Sequence, residues 1–164
     1  MRPLLARSGV ALLAACMAPA LLAAAPKETF MRHATGTFEV KMQPKDQIDP
    51  ASDGNALGRM SLDKTFSGAL TGTGVGEMLA ARSSVPTSAA YVAVERVTGT
   101  LDGRTGTFVL VHRGVMQGDT QQLDVIVSPD SGTGALTGIT GTLAIKVEAG
   151  VHHYDLAYTL PDAP

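Results

Sequence analysis

The sequence predicts an all-β domain, a closed barrel or a sandwich of antiparallel strands. From Thr35 onward, apolar residues alternate with polar ones at a period of two, and turn-forming clusters separate the alternating runs. No stretch carries the three-and-four spacing of an amphipathic helix. Glycine recurs within the runs as well as between them, for Thr-Gly-Thr starts at Thr35, Thr71, Thr98, Thr105 and Thr140. The uneven spacing of these tripeptides excludes a solenoid repeat. Glycines inside strands instead mark bends and close backbone approaches, the devices that let a sheet curl shut.

In chain order, Phe38, Val40 and Met42 alternate with Thr37, Glu39 and Lys41 and define the first strand. Pro44 to Ala56 is rich in Pro, Asp, Ser and Gly and reads as a flexible loop, with an ordered lid as the alternative. A second strand spans Arg59 to Leu70, with Met60, Leu62, Phe66 and Leu70 on one face. Thr71 to Gly74 reads as the turn, and Val75 to Arg82 as the returning strand. Further strands are expected at Ala90 to Leu101, Arg104 to Met116, Gln121 to Ser128, Leu136 to Val147 and His152 to Leu160. That makes eight, joined by loops short enough for antiparallel neighbours.

Asp102-Gly103 lies between two Thr-Gly-Thr runs and suits the centre of a type I′ turn. Gly99 then faces Gly106, and Val97 faces Phe108. One surface of this hairpin collects Tyr91, Glu95 and Val97 with Phe108, Leu110 and His112. Its aromatic residues and paired glycines assign it to the interior. The other surface carries Val92, Val94, Val109 and Val111, an apolar patch that predicts contact with a second subunit and hence a homo-oligomer. The same construction on Thr71 to Gly74 puts Lys64, Phe66, Glu77 and Leu79 on one inward surface.

Four ionisable side chains therefore fall inside: Lys64, Glu77, Glu95 and His112. Glu95 and His112 are diagonal neighbours, about 7 to 8 Å apart at the backbone, a gap long side chains bridge. A buried carboxylate near a histidine forms a hydrogen-bonded core network, a polar floor for a ligand, or a tuned acid and base pair. Lys64 suits a barrel rim, with its stem buried and its ammonium wet. Tyr91 reads as a core residue or as an amphipathic pocket residue.

Other chemistries find little footing. His152 and His153 are adjacent and point to opposite faces of a strand, and no His-x-His or His-Glu-x-x-His spacing occurs, so no metal site and no cofactor are expected. Gly72 to Glu77, GTGVGE, superficially resembles a phosphate loop but lacks the following lysine and helix. Residues 1–25 contain no acid and place Arg2 and Arg7 before an apolar run, the order of a bacterial signal peptide. Cleavage after Ala25 or Ala20 is expected, with lipidation at Cys16, in LAAC, as the alternative that would bring a membrane into play. Residues 26–34 read as a linker and 35–161 as the barrel domain, placed in the periplasm or outside the cell. Leaving out Arg2 and Arg7, 11 basic residues stand against 15 acidic ones, a formal charge of 11 − 15 = −4. Nucleic acid is a poor partner for that balance. Cys16 is the one cysteine in the chain, so the mature domain holds together without a disulfide.

The segments LGRMSLDKTFSGALTGTGVGEMLAA, AYVAVERVTGTLDGRTGTFVLVHRG, SPDSGTGALTGITGTLAIKV and HHYDLAYTLP together resemble a bacterial domain-of-unknown-function family with an allene-oxide-cyclase-like barrel. The resemblance covers Thr35 to Pro161. It implies an eight-stranded antiparallel barrel, often oligomeric, related in shape to plant allene oxide cyclases and dirigent proteins. It does not carry their activity across, because fold is not function. With the residues above, the expected function is binding of a small, partly apolar molecule in the barrel mouth, with Glu77, Glu95 and His112 as polar anchors. An isomerase or cyclase using a buried carboxylate, and a structural oligomer with a filled core, are the alternatives.

Overall fold

The computed structural model describes residues 30–49 and 54–161. The expected export segment and Cys16 lie outside the described residues. Eight strands, β1 (Arg32–Asp49), β2 (Ala56–Gly68), β3 (Leu70–Arg82), β4 (Ser88–Leu101), β5 (Arg104–Gln117), β6 (Thr120–Val127), β7 (Thr140–Glu148) and β8 (Val151–Thr159), run up and down in sequence order. Antiparallel pairing of β1 with β8 closes them into a barrel.

The two ends of the barrel differ because their connections differ. At one end, the segment between β6 and β7 continues along β5 in the direction of β6: Ser128 N–H donates to Val109 O at 2.8 Å and Thr133 N–H to Thr107 O at 2.8 Å. It then makes one 3-10 turn, Gly134–Leu136, and delivers Leu136 and Ile139 into the bore. There they join Leu70, Leu101, Phe108, Tyr158 and Leu160, all buried, and seal that end. A smaller cluster of Leu62, Met78 and Ala93 lies toward the other end, where no segment of the described residues plugs the bore.

The β4–β5 hairpin has the geometry its sequence predicts. Asp102 and Gly103 take φ values of 46° and 80°, as a type I′ turn requires, and Gly99 pairs with Gly106 while Val97 pairs with Phe108. Phe108 and Leu110 are fully buried, whereas Val92 and Val94 are exposed on the outside, with Val109 and Val111 half-buried beside them.

Thr-Gly-Thr, uneven along the chain, is ordered in space. All five copies lie near the sealed end of a strand, with glycine on the inward-facing register and threonine outside, on β1, β3, β4, β5 and β7. Without a Cβ, neighbouring backbones approach each other closely. A Cβ built on Gly99 would lie 2.9 Å from Gly72 Cα and run into Thr71 O, and one on Gly72 would lie 2.7 Å from Gly99 Cα.

Three expectations are corrected. The β2–β3 turn is at Gly68 to Leu70 and not at Thr71 to Gly74. Phe66 pairs with Gly72, Lys64 with Gly74 and Leu62 with Gly76, so even-numbered residues of β3 face inward and Glu77 and Leu79 face out. A slip of odd length turns over every side chain of a strand. The partners that set this turn are remote: Ala69 N–H donates to Thr35 O at 3.1 Å, Asp102 N–H to Ala69 O at 2.9 Å, and Leu70 N–H to Tyr154 Oη at 2.9 Å. Second, within the expected loop from Pro44 to Ala56, Pro44 to Asp49 is strand. β1 continues to Asp49, with register shifts between Pro44 and Gln47 and between Gln47 and Asp49 that absorb its turn-forming residues. Third, β7 begins at Thr140 and not at Leu136, because Gly134 and Gly138 take φ values of 59° and 80° and hold the chain in turns.

Gly99→Ala tests the close approach. Backbone atoms, which cannot swing aside, would have to move, so a loss toward the upper end of the ~1–3 kcal/mol typical of overpacking is expected in urea unfolding. A loss under ~0.5 kcal/mol would mean that the strands are free to separate there.

Candidate functional site

The four strands β2 to β5 bring together three of the five residues singled out in the sequence. Lys64 on β2, Glu95 on β4 and His112 on β5 are 7, 0 and 4% exposed. Lys64 Nζ donates to Glu95 Oε2 at 2.6 Å, and His112 Nε2 meets the same oxygen at 3.1 Å. An ionised carboxylate only accepts, so His112 donates through Nε2–H, and in the neutral ring Nδ1 is left as an acceptor. Among the described residues Nδ1 has no hydrogen-bond partner. Lys64, expected at a wet rim, is instead enclosed, its ammonium 4.7 Å from the centroid of Phe38 and 5.8 Å from that of Phe66.

Glu95 and Lys64 are two strands apart, and β3 lies between them. They meet because β3 offers no side chain at the crossing. Gly76 stands opposite Glu95 and Gly74 opposite Lys64. A Cβ on Gly74 would fall 2.8 Å from Glu95 Cδ and collide with Oε1, and one on Gly76 would lie 2.7 Å from Glu95 Cα. The run GTGVG, which has the look of a phosphate loop, is therefore the bare strip over which the carboxylate reaches its cation.

Burial pushes the Glu95 carboxyl up. The hydrogen bond from His112, with the charge and hydrogen bond of Lys64, outweighs burial and holds it below the usual carboxylate range. Burial also raises the Tyr91 phenol. Tyr91 lies over Gly114, where an added Cβ would come within 2.7 Å of its Cδ1. Glu77 is not part of this group; its side chain is 55% exposed and lies 3.6 Å from Arg59 Nε on the outer wall.

Above the charged group the unplugged end of the barrel contains a cavity of about 330 Å³. Lys64 and His112 line it, and its walls include Phe38, Leu62, Met78, Tyr91 and Ala93. Glu95 does not line it, so the cavity meets an ammonium and an imidazole and not a carboxylate. His152, stacked on Phe38 with centroids 4.9 Å apart, also lines it. Sequence reasoning missed Phe38 and His152 as site residues; the inward phase of Phe38 was the available signal. Leu123, Ile145 and Val147 complete the lining at β6 and β7, two strands joined by a single residue pair, Ile126 with Thr142. The wall is thus unladdered beside the cavity. Among the described residues no three His, Asp, Glu or Cys side chains are grouped as a metal-binding set.

Glu95→Gln is expected to lower stability at pH 7 by about 3–5 kcal/mol, because it strands a buried lysine. A depressed carboxyl contributes stability above its unfolded range and loses it as pH falls through the folded value. The gap between wild type and Glu95→Gln in urea midpoints should therefore hold from pH 7 down to the ordinary carboxylate range, about 4, and narrow below it. A gap that stays constant with pH would contradict the ion pair.

Residues 34–158 match the model of a family described as a protein of unknown function, DUF3224. No curated protein matches the chain. A crystal structure of a DUF3224 protein of unknown function from Shewanella oneidensis is similar, with 45% identity and a TM-score of 0.76 over 80% of this chain and 99% of that one. An eight-stranded antiparallel barrel, a match over most of its length and a structural relative of the same family agree: the chain belongs to the DUF3224 family.

Proposed function

We propose that the barrel binds a small, largely apolar molecule carrying one uncharged polar group, seated on Lys64 and His112. The observation that carries this reading is the cavity of about 330 Å³, mostly apolar in its lining, into which Lys64 and His112 bring polar atoms. Its size is at the lower end of ligand pockets, which are mostly apolar with a few placed polar atoms. The charge of Lys64 is already answered by Glu95 at 2.6 Å, so the pair is neutral and the cavity favours a neutral head group. Lys64 retains N–H donors beyond the one given to Glu95, and His112 Nδ1 is the acceptor. A hydroxyl or a carbonyl suits that floor.

Export belongs to the same proposal, on the basic and then apolar order of residues 1–25. The allene-oxide-cyclase-like form implied by the sequence resemblance is supported by the strand number and the up-and-down order.

Two measurements test the reading. Native mass spectrometry of the protein from its own host should show a retained small molecule that is lost on denaturation. In vitro, the neutral apolar fluorophore N-phenyl-1-naphthylamine should bind with enhanced emission. Ala93→Leu, which pushes a larger side chain into the cavity, should weaken it roughly tenfold, in line with the ~1–3 kcal/mol cost of intrusion. Equal affinity for both proteins would place the probe elsewhere and count against the cavity.

A further inference from the structure

Building on the cavity reading above, we infer that the barrel also catalyses proton transfer on small apolar ketones or aldehydes, with His112 taking a proton from the carbon beside the carbonyl while Lys64 holds its oxygen. Three features of the charged group point this way. The charges of Lys64 and Glu95 answer each other without a third group. The third member, His112, lines the cavity and leaves Nδ1 unpaired among the described residues, while its other nitrogen is gripped by Glu95 Oε2 at 3.1 Å. A carboxylate behind an imidazole fixes the tautomer and stabilises the imidazolium that forms when the ring accepts a proton. Lys64 is bound to that same oxygen, so the base and the ammonium are held side by side facing one space.

The step balances within the site. The C–H bond next to the carbonyl breaks, and its proton goes to His112 Nδ1. The bonding pair becomes the new carbon–carbon π bond, and the carbonyl π pair moves onto oxygen. The resulting enolate oxygen accepts from Lys64 Nζ, a charge-assisted bond beside mostly apolar walls, where such stabilisation is stronger than in water. Return of the proton from His112 to the same carbon gives exchange. Return to the far carbon of a conjugated system gives an isomer. Glu95 is a positioning residue in this scheme; it is fully buried, does not line the cavity, and is more acidic than an ordinary carboxyl.

The test uses 2-octanone as probe, in deuterated buffer with the full-length protein. Proton NMR follows exchange beside the carbonyl, and saturation transfer from protein to ketone reports binding. Wild type should speed exchange by about 10²-fold or more over buffer, the range of positioned general bases. His112→Gln, which keeps a donor for Glu95, should bind the ketone and exchange it at close to the buffer rate; if it does not fold by circular dichroism, His112→Asn takes its place. Saturation transfer without faster exchange in wild type would overturn proton transfer and leave the binding reading intact. Absence of both signals would remove both readings. Acceleration that persists in the folded His112 variant would overturn the assignment of the base.

Discussion

A carboxylate buried at the centre of this barrel has its charge answered from a strand that is not its neighbour. Glu95 on β4 reaches Lys64 on β2 by crossing β3, and the crossing exists because Gly74 and Gly76 leave the strand bare beneath it. Isolated, either charge would be costly to bury; together, with His112 on the same oxygen, they form a neutral group. The group also divides the interior, with a packed apolar plug on one side and a cavity on the other. The members of the group that the cavity meets are Lys64 and His112, and not Glu95.

Glycine has two tasks in the wall. Near the sealed end, the inward glycines of the five Thr-Gly-Thr tripeptides let backbones approach more closely than side chains would allow, and the chain bends around the plug. Further along β3, the same absence of side chains makes room for the Glu95 carboxylate. In GTGVG the first glycine serves the bend, and the second and third serve the ion pair.

Much of the architecture was readable because period-two patterns and the Asp102-Gly103 turn are local signals. The β4–β5 hairpin fixes its own register, so Glu95 and His112 were placed correctly inside and within reach of one another. Glu77 was misplaced because the β2–β3 turn has no signal of that kind. Its conformation is set by Thr35, Asp102 and Tyr154, residues distant in sequence that supply the hydrogen bonds of Ala69 and Leu70. Lys64 kept its inward phase under either register, since the error fell entirely on β3. Its depth was not readable, because the Phe38 and Phe66 rings that enclose its ammonium come together only when β1 and β2 pair.

The single residue pair between β6 and β7 sets this molecule apart from a barrel laddered all the way round. Continuous ladders fix strand number and stagger, and with them the diameter. Here the circumference contains a joint at Ile126 and Thr142, and beyond it the separation of Leu123 from Val147 is governed by the packing of side chains. A change in the width of the bore at this joint would leave the main-chain hydrogen bonds of the other seven strand pairings intact.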